Sequence, residues 1–266
     1  MVWTKRIEKG KKMNLKDRVA IITGAAGGIG AAIAVGYAKE GAKVVIADIL
    51  DGKETVDAVK KAGSEAIFVK TDVTEQEQCD TMAKAAVDRF GNIDILVNNA
   101  AMYANIIKKP FHEITTEEWN RVMEVNTTGP FHCIKAVFPY MKEKGGKIIN
   151  VASSIIFEGA MGMPHYVASK GAVMAFTRSM ARELGAHNIN VNSLAPGYTQ
   201  SEASKIIEKS RADGGIDPEQ IMMQKRCLKR SEEPQDLVGT AIFLASEMSD
   251  FVTGQLILCD GGASFH

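Results

Sequence analysis

The sequence is short of cysteine, of net charge and of long apolar runs. Only four cysteines (Cys79, Cys133, Cys227 and Cys259) occur in 266 residues, far apart and with no Cys-x-x-Cys pair. That spacing excludes a disulfide framework and a cysteine-based metal site, and makes free thiols in a reducing compartment the expectation. The five histidines show no metal-ligand spacing either, so no metal is expected. The 32 basic and 32 acidic side chains cancel, whereas a nucleic-acid-binding domain normally carries a basic excess. No apolar run approaches the ~18 residues that a membrane span needs. A soluble, cytoplasmic protein acting on a small molecule is the expectation.

What is present suits one large α/β domain. Hydrophobic residues make up 45% of the chain, enough for a full core. Residues 1–13 read differently from the rest. They carry Lys5, Arg6, Lys9, Lys11 and Lys12 without the apolar stretch of a secretory signal, and are read as a dispensable tail ahead of a domain spanning 14–266. The alternative origin is an early start codon, with Met13 as the true beginning. From there short apolar runs at 19–22, 44–47, 66–69, 93–97, 147–151, 189–194 and 255–258 alternate with helical stretches at 28–40, 75–90, 127–144, 164–184 and 234–245. Uninterrupted apolar strands belong to a parallel sheet covered on both faces. Strands alternating with helices predict βαβ crossovers and a doubly wound sheet. Residues 200–230 have weak boundaries, mixed charge and an Asp213-Gly214-Gly215 breaker, and are read as a substrate lid of two short helices.

The first apolar run leads into Thr23-Gly24-Ala25-Ala26-Gly27-Gly28-Ile29-Gly30 and then an alanine-rich helix. Glycines permit a tight turn and let the backbone approach a pyrophosphate. The helix N-terminus adds unpaired N–H groups and partial positive charge. A glycine-rich turn alone is weak, because ordinary strand-to-helix turns also use glycine. Here a second strand follows and ends in Asp48, eighteen residues past Gly30, near the ~20 expected for a carboxylate that binds an adenosine ribose. Gly24, Gly28, Ile29, Gly30 and Asp48 are read as a dinucleotide site.

The spacing Gly24-x3-Gly28-x-Gly30 resembles the Thr-Gly-x3-Gly-x-Gly turn of the short-chain dehydrogenase/reductase family. The similarity runs from about Leu15 to Gly262, through Asp72-Val73, Asn98-Asn99-Ala100, Asn126, Ser153, Tyr166-x3-Lys170 and Pro196-Gly197. One departure is Ala101, where the family usually has glycine; its methyl group is expected to tighten that turn slightly. The resemblance implies one Rossmann domain with a seven-stranded parallel sheet, and a homotetramer built through the helices at 127–144 and 164–184. It also implies that Asp72 and Val73 flank an adenine, that Asn99 holds the nearby ribose region, and that Pro196, Gly197, Thr199 and Ser201 form the nicotinamide loop. Where the family accepts NADP, a cation often precedes the second motif glycine. Here that position is Gly27, and Ile49 and Leu50 follow Asp48, so NAD is the expected cofactor.

Tyr166 and Lys170 are four apart on a predicted helix and therefore face the same way. A free tyrosine has a pKa near ~10. A lysine ammonium ~4–5 Å away, at an effective dielectric of ~20, favours the phenolate by roughly 3–4 kcal/mol, enough to bring the phenol close to working pH. Taken alone, an ordinary amphipathic pair explains these two residues equally well. Ser153 tips the balance, since it ends the preceding strand thirteen residues before Tyr166. By resemblance Tyr166 is the acid/base and Ser153 binds the substrate oxygen. Lys170 tunes the phenol and binds the cofactor ribose, and Asn126 supports a proton relay. Ser154 rivals Ser153 on composition, but the spacing favours Ser153.

Ser153, Ile155, Met161, Met163, His165 and Tyr198, with Met102, Ile156, Met222 and Met223, are expected on the substrate side. This apolar, adaptable set suits a hydrophobic, cyclic or aromatic secondary alcohol or ketone, although several of its members would equally well pack the lid. The basic residues of 200–230 keep open a 3-oxoacyl thioester reductase acting on an acyl-carrier protein or coenzyme A. A solvated face explains the same charges. The reading from another class is a catalytically silent NAD-sensing protein, against which the intact Asn126, Ser153, Tyr166 and Lys170 speak.

Overall fold

The computed structural model describes residues 14–201 and 218–265. The basic N-terminal stretch and the Asp213-Gly214-Gly215 breaker lie outside the described residues. The strands are β1 (Val19–Thr23), β2 (Lys43–Asp48), β3 (Ala66–Lys70), β4 (Ile95–Asn98), β5 (Gly146–Val151), β6 (Ile189–Pro196) and β7 (Leu256–Cys259). They form one parallel seven-stranded sheet in the order β3-β2-β1-β4-β5-β6-β7. The helices are α1 (Gly28–Lys39), α2 (Lys53–Lys61), α3 (Gln76–Phe90), α4 (Thr116–Met123), α5 (Gly129–Met141), α6 (Ile155–Glu158), α7 (Pro164–Leu184), α8 (Pro218–Lys225) and α9 (Val238–Ala245).

Every residue of β1 is buried, because a central parallel strand is covered on both faces. Its side chains alternate between two cores. Ile22 joins Ile33, Tyr37, Ile46, Leu194 and Ala241 on the face covered by α1 and α9. Ile21 joins Val45, Met82, Leu96, Cys133 and Val191 on the face covered by α3, α5 and α7. The Tyr37 hydroxyl donates to the Ala241 carbonyl at 2.9 Å, locking α1 to α9 across the first core. The strand order reverses between β1 and β4, whose register pairs Ile21 with Val45 on one side and Leu96 on the other. A crevice opens beyond the strand C-termini at such a switch point. The ends of β1, β2, β4 and β5 all deliver their following loops there.

Two element boundaries depart from expectation. The stretch 127–144 is a π-turn at Glu124–Thr128 followed by α5, which ends at Met141. The stretch 234–245 begins as a 3₁₀ turn, Pro234–Leu237, and becomes regular only at Val238. Helices α2 and α4 lie in segments for which the apolar pattern names no element. Helix α4 is nevertheless announced by a capping box, in which the Thr115 hydroxyl accepts from the Glu118 N–H while the Glu118 carboxylate accepts from the Thr115 N–H. Among the described residues no helix is long and apolar enough to cross a membrane.

Candidate active site

The glycine-rich turn is built on close backbone contact. Gly24 (φ +64°) and Gly28 (φ +57°) occupy the left-handed region, which side chains disfavour. A Cβ on Gly24 would stand 2.7 Å from the Ala100 Cα, and one on Gly30 would lie 2.6 Å from the Asn99 Nδ2 and overlap the Gly24 carbonyl. Ile29 packs against the α1 core. Helix α1 starts at Gly27 with no side-chain cap, leaving its first N–H groups for an anion. Asp48 closes the rim of this turn: its Oδ2 accepts from the Ala26 N–H at 2.8 Å and its Oδ1 from the Leu50 N–H at 2.9 Å.

Asn99 has a different task from the one expected. Its side-chain amide donates to the Thr23 and Gly24 carbonyls at 3.0 and 2.8 Å, so Nδ2 braces the turn and is spent before any ribose. The Thr23 hydroxyl, unnoticed in the sequence, accepts from the Asn99 and Ala100 N–H groups at 3.1 Å each. Ala101 is exposed and has no positive φ, so its methyl group causes no strain. Asp72 and Val73 sit beyond β3. Burial would raise the Asp72 carboxyl, but the Thr74 N–H and hydroxyl and the Arg121 guanidinium bring it below the usual carboxylate range. Val73 is buried with its carbonyl 3.1 Å from His132 Nδ1.

The strand end at Ser153 and the first turns of α7 bring Ser153, Tyr166 and Lys170 together. Pro164 opens α7, where its missing N–H costs nothing. Burial, and after it the neighbouring Tyr103, push the Tyr166 phenol above its ordinary value, while the nearby Ser153 hydroxyl pulls in the opposite direction. The Tyr103 and Tyr166 ring centroids are 5.1 Å apart. The Lys170 Nζ lies 5.8 Å from the Tyr166 ring centroid and donates to the Val151 carbonyl at 2.8 Å. Burial brings Lys170 down to about 8. Desolvation acts on both groups, against the phenol's acidification that the sequence led us to expect.

Asn126 lies in the π-turn, not in a regular helix. Its Oδ1 accepts from the Met102 N–H at 2.7 Å, and its Nδ2 donates to the Ser169 hydroxyl at 3.0 Å. Ser169 in turn donates to the Tyr166 carbonyl at 2.7 Å. Asn126 thus connects to α7 through a serine one position before Lys170. That serine was absent from the expected set.

The substrate-side residues divide. Met163 and Tyr166 form one apolar cluster with Ile106 and Val122, against which Met102, Tyr103, Ile155 and Ala160 pack. Met161 is 94% exposed, projected outward by a turn between Gly159 and Gly162, both at positive φ; it does not line the cluster. Ile156 packs with Val173, Ala195 and Leu256 instead. His165 is buried, but its ring stacks on Trp119 of α4 at 6.5 Å. Neighbours on a helix diverge by about 100°, so the His165 ring lies against α4, on a different side of α7 from the Tyr166 ring. Burial lowers its pKa, and among the described residues its Nδ1 has no hydrogen-bond partner.

After β6 the loop Gly197–Ser201 passes the glycine turn, with the Ser201 Cβ 3.8 Å from where a Cβ on Gly28 would stand. Tyr198 is half-buried, and Thr199 is held from behind by Glu232, whose carboxylate accepts from the Thr199 hydroxyl at 2.7 Å and from the Gly197 N–H at 3.1 Å. No spacing marks Glu232, and its partner Arg226 reads in the sequence only as one of the basic residues of 200–230. Among the described residues no three His, Cys, Asp or Glu side chains gather as a metal set.

The family described as enoyl-(acyl carrier protein) reductase matches residues 24–264. A galactitol 2-dehydrogenase of Agrobacterium fabrum is 41% identical, over 94% of this chain and 98% of that protein. A 2-dehydro-3-deoxy-D-gluconate 5-dehydrogenase of Dickeya dadantii is 39% identical, over 94% and 96%. A 3-oxoacyl-[acyl-carrier-protein] reductase of Thermotoga maritima is 37% identical, over 94% and 99%. A solved chain from Sinorhizobium meliloti, described as a short-chain alcohol dehydrogenase, superposes with a TM-score of 0.86 at 33% identity, covering 94% of this chain and 98% of its own. With its doubly wound sheet, glycine turn and Ser153–Tyr166–Lys170 group, the chain belongs to the short-chain dehydrogenase/reductase family of oxidoreductases.

Proposed function

We propose that this protein is an NAD-dependent oxidoreductase that interconverts a secondary alcohol and a ketone. The observation carrying this reading is the convergence of Ser153, Tyr166 and Lys170 at the crevice that also holds the glycine turn. The turn suits a dinucleotide: glycine at 24 and 30 lets it close tightly against Ala100 and Asn99, where side chains would collide, and α1 offers uncapped N–H groups to an anion. Gly24, Gly28, Ile29, Gly30 and Asp48 would hold the adenosine and pyrophosphate portion, with Asp72, Val73 and the backbone near Asn99 beside it. Lys170, Tyr166 and the loop Pro196, Gly197, Thr199 and Ser201 would hold the nicotinamide portion. When bound, the nicotinamide exchanges a hydride with the substrate carbon.

The protein's part is to manage one proton. The Ser153 hydroxyl orients the substrate oxygen, and the Tyr166 phenol gives that oxygen a proton or removes one. The phenol, raised by burial, is poised as the acid. Acting as base requires a cation to recover part of that cost, and Lys170 is the ammonium within reach. The link from Asn126 through Ser169 to the Tyr166 carbonyl holds the helix in place while the proton moves.

The cluster of Met102, Tyr103, Ile106, Ile155 and Met163 around Tyr166 favours a hydrophobic or cyclic substrate. A polyhydroxylated substrate is the second reading, favoured by the relatives named for galactitol and deoxygluconate. The third is the thioester reductase, favoured by the Thermotoga maritima relative. The test follows reduced-nicotinamide absorbance with three groups of substrates: cyclic and aryl alcohols or ketones, polyols and sugar acids, and a 3-oxoacyl thioester. The expected result is the highest kcat/KM in the first group. A higher value in either other group transfers the assignment, and no turnover with any of them removes the enzymatic reading. By resemblance we also propose a homotetramer through α5 and α7, where Phe131 is 47% exposed and packs edge-on against Phe176.

A further inference from the structure

Behind the Gly197–Ser201 loop lies a buried ion pair that the dehydrogenase reading does not use. Arg226 is 1% exposed and is among the largest fully buried side chains. Its Nη2 donates to the Tyr198 carbonyl at 2.5 Å and faces the Glu232 Oε2 at 3.4 Å, while its Nη1 donates to the Arg230 carbonyl at 3.1 Å. Glu232 is 5% exposed. Its Oε1 accepts from both the Thr199 hydroxyl and the Gly197 N–H, and its carbonyl accepts from the Gln200 N–H at 2.7 Å. Desolvating two charges is a poor route to stability, since a well-packed apolar pair would serve as well. The arrangement has a chemical consequence that an apolar pair would lack.

A hydroxyl has one proton to give and two lone pairs with which to accept. Among the described residues, the groups hydrogen-bonded to the Glu232 carboxylate, the Thr199 hydroxyl, the Gly197 N–H and the Arg226 guanidinium, all donate to it, while the neighbouring Asp260 adds only like charge. The Thr199 proton is thereby committed to Glu232, and toward any further partner the hydroxyl can only accept. We propose that Glu232, seated on Arg226, is a positioning residue that fixes Thr199 as a hydrogen-bond acceptor, so that the loop selects a nicotinamide ring bearing an amide N–H. The inference rests on the reading that this loop holds the nicotinamide. Under it, Glu232 determines which end of the carboxamide meets Thr199 and hence favours one ring orientation.

The test measures dissociation constants by calorimetry for three probes: NADH, the reduced 3-acetylpyridine analogue whose methyl ketone has no N–H to give, and ADP-ribose, which lacks the ring. The unmodified protein is expected to bind NADH about tenfold more tightly than the acetylpyridine analogue, the weight of one good hydrogen bond. In Glu232→Ala the Thr199 hydroxyl is free to turn and donate, so this ratio falls to about twofold or less. ADP-ribose affinity stays within about twofold. Thr199→Val removes the acceptor while leaving the ion pair buried, and is expected to lose the same discrimination. It decides the matter where the alanine variant unfolds or loses ADP-ribose. Discrimination that persists in Thr199→Val, or its absence from the unmodified protein, overturns the role of Glu232 and leaves the dinucleotide reading intact. Failure of the unmodified protein to bind either NADH or ADP-ribose overturns both.

Discussion

At Tyr166 a single hydroxyl separates an acid/base from a packing residue. Tyr166→Phe keeps the ring against Met163, Ile106 and Val122, so folding and dinucleotide affinity are expected to hold while turnover falls ~100-fold or more. A phenylalanine variant retaining over a tenth of wild-type turnover, measured by reduced-nicotinamide absorbance, would remove Tyr166 from this role. The position of Tyr166 and its neighbours was legible because side chains four apart share a helix face. Their ionisation was not, because it depends on burial and on Tyr103, which approaches from a loop sixty-three residues away in sequence. The Arg226–Glu232 pair was illegible for a related reason. Two charged residues among several basic ones read as a solvated surface until the fold encloses them.

At the scale of the strand-to-helix turn, the prediction concerns Gly30. A Cβ there would meet the Gly24 carbonyl, the Asn99 amide and, at 2.9 Å, the Ala25 Cα. Two of these are backbone, so the turn itself must open. Overpacking of this kind costs about 1–3 kcal/mol. Gly30→Ala is expected to lower Tm by several degrees and to weaken NADH binding at least about tenfold. Gly27→Ala is the matched control: its φ of −162° is extended and nothing lies within 4 Å of the added Cβ, so Tm and affinity should not move. Wild-type NADH affinity in Gly30→Ala would show that the turn is not the pyrophosphate cradle. Apolar runs revealed the strands of this layer well, since parallel strands bury both faces. Helix α4 escaped because a short amphipathic helix has little periodicity, though Thr115 and Glu118 mark its start. The π-turn at Asn126 is invisible in composition, being a change in backbone hydrogen-bond register.

For the whole molecule, alternation of strands and helices revealed the doubly wound sheet, and the order reversal between β1 and β4 places Asp48 at the rim of the crevice. On the proposed reading, that placement would set the choice between the two nicotinamide cofactors. Charge-assisted hydrogen bonds from ribose hydroxyls to the Asp48 carboxylate would contribute roughly 1.5–3 kcal/mol. A 2′-phosphate would set about two negative charges against the same carboxylate. Sites that accept it supply an arginine or lysine, whereas Gly27 has no side chain, and Ile49 and Leu50 are exposed and apolar. Lys70 is the register partner of Asp48 across β2 and β3, but the Asp48 oxygens accept from the Ala26 and Leu50 N–H groups. NAD is therefore expected to be preferred over NADP by at least about 100-fold in kcat/KM, equivalent to some 2.7 kcal/mol. The reverse design follows from the same geometry. Gly27→Arg introduces a cation at a position with extended backbone and open space, and Asp48→Ala removes the opposing charge, so the double variant should accept NADP with the preference reduced at least tenfold. Equal kcat/KM for the two cofactors in the unmodified protein would refute the role of Asp48 and strengthen the thioester-reductase reading.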